Sequence, residues 1–374
     1  MKRFITIFPQ GENVHLIKDV GMVPFFLQKG GYYQATLACY KKEEEMSHLR
    51  QELCGISYKR IFKFFKNENL NIFFFILWNI RKYDVIMFFH QSLFKTLIAL
   101  FFKIITWNSL KFYFKLDAND SIQESKLATS RSFFTDFKVY LYNRIDLISV
   151  ETRYLQQFLS KQLGMKVAYI PNGFDFGRSF AADGQVKSLK KAPIITLVGR
   201  IGAPEKDNIT MLKALTQVQL KGWTVEFLGP VDLNFQKEIN SFYAFNNSVF
   251  KDKVFFMGAI NDREALMKSL ENSSVFVQTS KFESFGIALL EAMSSGCYVV
   301  ATDLTPSREI AGHLGQFFAV GDEVGLATIL QSIIDEKIVL PSPSVLIQSA
   351  NERYNWSTIV KEIYQQLENC NAYA

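Results

Sequence analysis

Cysteine is scarce in this 374-residue sequence, which limits the kinds of site it can build. The four cysteines stand far apart, with neither the spacing of a zinc site nor the density of a disulfide-linked domain, at positions 39, 54, 297 and 370. We therefore expect ordinary thiols in a reducing compartment, and no bound metal.

Long apolar runs are also lacking. Between positions 58 and 115 the longest uncharged run is Asn69–Ile80, which falls short of the ~20 residues that a membrane-spanning helix needs. The start of the chain, Met1–Phe8, is too short for a signal peptide and has no small-residue cleavage site after it. These absences predict a cytoplasmic protein that begins with a β-strand and has no transmembrane helix.

Charge divides the chain into two unlike halves. Residues 1–178 contain 25 Lys and Arg against 15 Asp and Glu, whereas the remainder has a net charge of −4, within a total of +6. Many aromatic residues lie among the cations of the first half. We weigh three interpretations: a core of aromatic residues, an interfacial surface for anionic lipid, and nucleic-acid binding. The third is disfavoured because no nucleic-acid motif accompanies the charge and the pI is only 8.9. The first two are compatible because they use different faces.

Strand-like and helix-like segments alternate in both halves, which predicts an α/β fold with two doubly wound parallel sheets. In such sheets ligands bind at the carboxyl ends of the strands. The expected strands lie at 4–8, 35–39, 85–89, 111–116, 147–150 and 167–170 in the first half, and at 194–198, 224–228, 254–257, 275–278, 298–302 and 317–320 in the second.

The segment after the first strand, Gln10–Gly21, holds two glycines and four ionisable groups. It is interpreted either as a solvated loop that caps a helix or as an acceptor-binding loop, in which glycines allow close approach of a ligand. The candidate acceptor-binding residues are Gly11, His15, Lys18 and Asp19. The loop after the 111–116 strand, which contains Asp117, is a second candidate.

In the second half of the chain, a candidate donor-binding site follows the first strand. Gly199 stands at the strand end, and the cations Arg200 and Lys206 are spaced so that they can straddle a diphosphate. A surface loop with two cations is the alternative interpretation.

The segment Lys281–Met293 carries the strongest signal. Glu283 lies on a loop, and Glu291 lies inside an apolar helix, where a buried acid needs partners. The backbone N–H groups at the start of this helix form an anion site, which gives the donor-binding candidates Ser284, Phe285, Gly286 and Ile287. A carboxylate inside the helix can accept both hydroxyls of a ribose, and one on the loop can orient a sugar.

Taken together, these segments resemble the retaining glycosyltransferases of family 4, which have the GT-B fold. The Glu283 and Glu291 pair resembles the family signature, the Gly199–Lys206 stretch its diphosphate loop, and Pro171–Gly173 its interdomain turn. The resemblance implies two Rossmann-like domains that face each other across a cleft. An acceptor-binding domain at 1–178 would be followed by a nucleotide-sugar-binding domain at 179–355, and a final helix at 356–374 would return to the first domain.

The resemblance also implies a mechanism without a metal ion or cofactor. Arg200 and Lys206 would neutralise the leaving diphosphate, Glu291 would hold the ribose, and Glu283 would hold the sugar. Attack on the same face as the departing group retains the anomeric configuration. Catalysis would rest mainly on electrostatic stabilisation of that group.

One feature departs from the family pattern. Many members place a histidine in a first-domain loop near the reacting sugar, but the comparable stretch here contains none. Asp117 is favoured as its catalytic substitute; the alternatives are Lys115, His90 at a strand end, or a degraded site.

The expected function is therefore sugar transfer from a UDP- or GDP-sugar to a lipid-linked or polysaccharide acceptor in cell-surface glycan biosynthesis. The basic first half would associate peripherally with the anionic inner face of the membrane. Two alternatives are a non-catalytic accessory subunit of a partner transferase and a sugar-nucleotide epimerase. Accessory chains usually lose the donor motifs, which are intact here, and an epimerase leaves the basic surface unexplained.

Overall fold

The computed structural model describes residues 1–116, 133–177, 190–260 and 262–369, with the side chains of 246–248 excepted. Asp117 lies outside these ranges. The contacts divide the chain into two compact units, which we call unit 1 (Met1–Gly173 with Trp356–Ala374) and unit 2 (Phe174–Asn355).

Unit 1 contains a parallel sheet of seven strands in the order β3-β2-β1-β4-β5-β6-β7. Its strands are β1 Arg3–Ile7, β2 Gln34–Cys39, β3 Ser57–Arg60, β4 Val85–Phe89, β5 Lys111–Lys115, β6 Leu147–Val150 and β7 Ala168–Tyr169. The central strands β4 and β5 are buried along their whole length because helices cover both faces. The edge strand β3 escaped prediction because its four residues are mostly polar.

The helices of unit 1 begin and end at recognisable signals. Thr152, for example, accepts a hydrogen bond from the Leu155 N–H (3.2 Å), and Gly164 ends that helix with a left-handed φ of 66°. The helices before the final segment are α1 Asn13–Leu16, α2 Asp19–Lys29, α3 Ser47–Gln51, α4 Glu68–Asn79, α5 Leu93–Ile105, α6 Phe133–Tyr142 and α7 Arg153–Leu163.

The segment Gln10–Gly21 differs from the expected loop, because α1 and the first turn of α2 occupy most of it. Gly21 lies within α2, where a Cβ atom would be 2.1 Å from the carbonyl oxygen of Leu16. The close approach that this glycine allows is therefore to the chain's own backbone and not to a ligand.

Unit 2 contains a parallel sheet of six strands in the order β10-β9-β8-β11-β12-β13. The strands are β8 Ala192–Val198, β9 Thr224–Leu228, β10 Val254–Gly258, β11 Ser273–Gln278, β12 Tyr298–Thr302 and β13 Gly315–Phe318. The helices are α8 Asn208–Leu215, α9 Gln236–Phe250, α10 Arg263–Asn272, α11 Ile287–Ser294, α12 Thr305–Ala311, α13 Glu323–Ile334 and α14 Pro343–Tyr354. The predicted fold of two Rossmann-like domains is confirmed, and every strand predicted for this half is present.

The final helix, α15 Trp356–Asn369, belongs to unit 1. It packs on α2 and buries Trp356, Ile359, Val360, Ile363 and Leu367. The Trp356 ring stacks on Phe26 with a centroid separation of 6.3 Å. Tyr33 donates a hydrogen bond of 2.9 Å to Glu368 at the other end of the helix. The final helix therefore completes the core of unit 1, as the resemblance implied.

We expect Trp356→Ala to lower the free energy of unfolding by about 3–5 kcal/mol, because it removes a large buried ring and leaves a cavity. Urea denaturation of the full chain measures this loss. Gln365→Ala on the exposed side of the same helix is the matched control and should change stability by no more than about 0.5 kcal/mol. Equal, small effects of both substitutions would contradict the assignment of α15 to this core.

Candidate active site

The loop after β8 lies at the carboxyl edge of the unit 2 sheet, where the parallel topology predicts ligands. The Gly199 N–H donates to the Leu228 carbonyl oxygen (3.0 Å), so this loop contacts the end of β9. Gly229 makes that contact possible: its φ is 143°, and a Cβ there would lie 1.8 Å from the Gly199 carbonyl oxygen. Gly229 was not predicted, because only the fold brings it to the site.

Two hydrogen bonds tie the β8 loop to the loop after β11. Thr279 Oγ1 donates to the Lys206 carbonyl oxygen (2.7 Å), and the Lys281 N–H donates to the Glu205 carbonyl oxygen (2.8 Å). Thr279 is almost completely buried. The two loops that the sequence predicted separately therefore form one structure at the sheet edge.

Glu283 is held by three donors. Its Oε1 atom lies 2.5 Å from Lys206 Nζ, 2.7 Å from Ser280 Oγ and 2.9 Å from Gln278 Nε2. The Ser280 carbonyl oxygen accepts in turn from Thr302 Oγ1 (2.7 Å). The sequence predicted Glu283 and Lys206 for the same site, and the structure brings them into contact. It missed Gln278 and Ser280, although both are close to Glu283 in the chain.

Arg200 is placed differently from Lys206. Its side chain is 73% exposed and forms an ion pair with Glu205 on the same loop. The guanidinium is therefore at the surface, and its partner Glu205 directly precedes Lys206 in the chain. The predicted straddling of a diphosphate by these two cations stays a prediction.

Gly286 forms the N-cap of α11 with a φ of 96°, a conformation that favours glycine. The first N–H groups of a helix have no acceptor within that helix. Next to it, Phe285 is buried in the core of unit 2 and meets the Tyr354 ring edge-on at 5.8 Å. Packing thus fixes the start of the helix, and Ser284 and Ile287 on either side are half-buried.

Glu291 lies one turn inside α11 and is 7% exposed. Its helix neighbours Leu289, Leu290, Ala292 and Met293 are buried. Arg263 on α10 supplies the partner that a buried acid needs, with its Nη2 atom 2.6 Å from Glu291 Oε1. The sequence predicted the need for a partner but did not identify Arg263.

Of the predicted acceptor-binding residues, Gly11 precedes α1, His15 lies on α1, Lys18 is the N-cap of α2 and Asp19 is its first residue. Gly11 and Asp19 are buried, Lys18 is exposed, and His15 is half-buried against the Phe8 ring (5.3 Å). Burial lowers the pKa of His15, and the neighbouring charge of Lys18 lowers it further. His90, the alternative to Asp117, contacts the same Phe8 ring at 5.9 Å. His15 and His90 thus lie close together at the carboxyl edge of the unit 1 sheet.

Lys115, the other alternative, is completely buried between two carboxylates. Its Nζ atom lies 3.4 Å from Glu151 Oε1 and 3.7 Å from Asp19 Oδ2. Burial alone would lower the pKa of Lys115, but the charges of Glu151 and Asp19 outweigh it and raise the pKa above its ordinary value. Asn172, in the predicted interdomain turn, donates to Glu151 (2.8 Å). Lys115 therefore holds α2, β5 and β6 together.

Comparison with known proteins tests the resemblance drawn from the sequence. Residues 181–353 match the family model described as glycosyl transferases group 1. The resemblance to glycosyltransferases drawn from the sequence is confirmed.

One curated relative is the phosphatidyl-myo-inositol mannosyltransferase of Mycobacterium leprae, 26% identical over 211 residues. The match covers 55% of this chain and 54% of that protein, so it spans about half the length of the relative. Among solved structures, Anabaena HepE in complex with UDP and glucose has a TM-score of 0.71 at 18% identity, over 99% of this chain and 100% of that one. A glycosyltransferase from Rickettsia africae has a TM-score of 0.74 at 14% identity, over 100% and 99%. These structures show that the fold is shared.

We expect Lys115→Met to lower the free energy of unfolding by about 3–5 kcal/mol, because Asp19 and Glu151 would remain buried without their cation. The deficit should shrink as the pH rises above the ordinary pKa of lysine, because the raised pKa of Lys115 stabilises the wild-type chain only while Lys115 carries its proton. Urea denaturation at several pH values measures both effects. Lys161→Met, an exposed change on α7, is the control. A deficit that does not depend on pH would contradict the electrostatic explanation.

Proposed function

We propose that this protein is a retaining glycosyltransferase that moves a sugar from a nucleotide-sugar donor to a lipid-linked or polysaccharide acceptor in cell-surface glycan assembly. One observation carries the proposal. At the carboxyl edge of the unit 2 sheet, Lys206 and Glu283 are in contact, and Glu291 is buried on the helix that begins beside them. This set offers a cation for a diphosphate, a carboxylate for sugar hydroxyls and another for a ribose.

The chemistry follows from what each group does when a donor enters. Lys206 now neutralises Glu283, and an arriving diphosphate competes for the same ammonium group. Glu283 keeps Ser280 and Gln278 as donors and stays oriented toward the sugar. The N-terminus of α11 and Lys206 then stabilise the negative charge that develops on the leaving diphosphate. Arg200, which is exposed and paired with Glu205 on the same loop, adds a second cation by exchanging that partner for the diphosphate. No step in this scheme requires a metal ion.

A nucleotide donor is supported by the likeness in fold to HepE, whose crystals contain UDP and glucose. The acceptor would bind at the carboxyl edge of unit 1, where Gly11, His15, Lys18 and Asp19 cluster. Asp117, which lies outside the described residues, stays our candidate for the polar group near the reacting sugar. A lipid-linked acceptor is supported by the mycobacterial relative, whose name refers to a phospholipid.

An exposed apolar surface on unit 1 supports association with a membrane. Helices α4, α5 and α6 pack side by side and turn large apolar side chains outward; we call this surface the outer face. Its members include Leu70, Leu77, Trp78, Phe94, Leu97, Phe101, Ile104, Trp107, Phe133, Phe134, Phe137 and Tyr140. On α5 the exposed residues recur every three or four positions, so they form one stripe along the helix. None of the described helices is both long and apolar enough to cross a bilayer.

Cations border the outer face. Lys138 lies over the Phe134 ring (4.3 Å), Arg144 over the Tyr140 ring (4.8 Å) and Arg60 over the Phe62 ring (5.6 Å). Apolar rings flanked by cations favour the interface of a membrane with anionic lipid, because the rings enter the headgroup region while the cations meet phosphate. We therefore propose that unit 1 binds the inner face of the cytoplasmic membrane peripherally.

We expect one nucleoside diphosphate and its sugar conjugates to raise the melting temperature of the wild-type chain but not that of Glu291→Ala. A ligand at ~100 times its dissociation constant stabilises the folded state by roughly 2.7 kcal/mol. A thermal-shift screen of UDP, GDP, ADP and CMP with their sugar conjugates, with and without EDTA, measures this. Glu352→Ala, an exposed carboxylate on α14, is the matched control and should respond like wild type.

If no nucleotide shifts the wild-type chain, the donor site proposed here is wrong, and an accessory role beside a partner transferase takes its place. If nucleotides bind only when a divalent metal is present, the metal-independent scheme is wrong. If a sugar nucleotide is converted without any acceptor, the protein is an epimerase.

We expect substitution of Phe94, Ile104 and Trp107 by Ser to weaken binding to anionic vesicles by about tenfold per residue, because each side chain would otherwise bury at the interface. Flotation with phosphatidylglycerol-containing vesicles measures binding, and phosphatidylcholine vesicles report the part that depends on lipid charge. Leu233→Ser with Phe245→Ser removes equally exposed apolar groups from unit 2 and is the control. Equal loss in the control, or no loss in the triple variant, would refute the outer face as the docking surface.

A further inference from the structure

Arg263 is the first residue of α10 and touches the predicted donor site through Glu291. Its Nη2 atom lies 2.6 Å from Glu291 Oε1, and both side chains are largely buried, at 19% and 9% exposure. The start of α10 is itself fixed, because the carboxylate of Asp262 accepts a hydrogen bond from the Glu264 N–H (3.0 Å). Helices α10 and α11 pack together. The guanidinium therefore approaches Glu291 from a rigid element.

The position of Glu291 explains why this contact matters. The carboxylate projects from a helix whose neighbouring side chains are packed in the core of unit 2. Without a cation, a buried carboxylate turns toward water or takes up a proton. After either change, the Glu291 carboxylate could no longer accept two hydrogen bonds in a fixed geometry.

We infer that Arg263 is a positioning residue that fixes Glu291 to accept both hydroxyls of the donor ribose, and that the pair thereby selects ribonucleotides over 2′-deoxyribonucleotides. The inference rests on the proposed function, since it assumes that Glu291 faces the ribose. Arg263 Nη2 contacts the Oε1 atom of Glu291. The ribose hydroxyls are expected on the remaining lone pairs of Glu291.

Electrostatics adds a second reason for the cation. A nucleoside diphosphate brings negative charge to a site that already contains Glu283 and Glu291. Lys206 compensates the charge of Glu283, and Arg263 compensates the charge of Glu291. Neither carboxylate therefore adds net negative charge to the site. Removal of Arg263 would leave Glu291 to repel the incoming anion.

The test compares UDP with dUDP, and GDP with dGDP, by calorimetric titration of the full chain. We expect wild type to bind the ribonucleotide about tenfold or more tightly than its 2′-deoxy form, because a hydrogen bond to a charged acceptor is lost in the latter. Arg263→Ala should weaken ribonucleotide binding by about tenfold or more and reduce the preference to less than about threefold. Arg263→Lys should retain part of both.

Two controls separate positioning from folding. Lys268→Ala removes a cation that pairs with Glu264 on the surface of the same helix, and it should preserve affinity and preference. In a Glu291→Ala background, titrated at nucleotide concentrations high enough to detect its weakened binding, Arg263→Ala should change the affinity by less than about threefold, because the two residues act through one contact. A second readout is the split between KM and kcat: the KM for donor should rise more than kcat falls.

The outcomes distinguish this inference from the function beneath it. If wild type binds UDP or GDP and Glu291→Ala does not, while Arg263→Ala keeps the full ribose preference, the inference is overturned and the donor site stands. The inference is also overturned if Arg263→Ala lowers only the melting temperature. If wild type binds neither UDP nor GDP, the donor site and the inference are overturned together.

Discussion

Charges that are buried at the carboxyl edges of the two sheets occur in contact with opposite charges. In unit 2 Lys206 lies against Glu283 and Arg263 against Glu291. In unit 1 Lys115 lies between Asp19 and Glu151. An unpaired ion in the interior costs several kcal/mol. Each carboxylate that is buried at these edges therefore requires a cation in contact with it. The loops and helix starts at these edges are arranged around that requirement.

The pairing of buried charges has different consequences in the two units. In unit 2 the Lys206 and Arg263 side chains are 26% and 19% exposed, so a ligand can reach the charges and exchange partners with them. In unit 1 Lys115 is fully enclosed, so its charge fixes α2 against the sheet instead of meeting a substrate. Unit 1 also has a distinctive surface. The outer face of α4, α5 and α6 combines apolar rings with cations, and the basic first half of the sequence is its origin.

The sequence predicted those parts of the fold and site that neighbouring residues determine. Alternating apolar segments located every strand except the short polar β3. Glu291 was noticed because a carboxylate inside an apolar helix needs a partner. Glu283 was noticed because it lies on the loop that leads into the same helix. Arg263 and Gly229 were missed because their roles depend on packing between segments distant in the chain. No local pattern distinguishes Arg263 from any other cation at a helix start.

The segment after β1 in unit 1 also shows that local sequence does not determine structure by itself. The segment after β1 was singled out for its glycines and ionisable groups, and its role in acceptor binding stays a prediction. Its helical structure was not foreseen, because Gly21 and Pro24 both disfavour helix in isolation. Packing of α2 against α15 and the pairing of Asp19 with Lys115 supply the missing stabilisation. Tertiary contacts thus overrode local propensity.

The most direct test of this account is a crystal structure of the full chain with a bound nucleoside diphosphate sugar. The account predicts that Lys206 leaves Glu283 for the diphosphate, that Glu283 binds the sugar, and that the ribose hydroxyls lie on a Glu291 still paired with Arg263. A donor bound elsewhere, or one bound here with the Lys206–Glu283 contact unbroken, would contradict it.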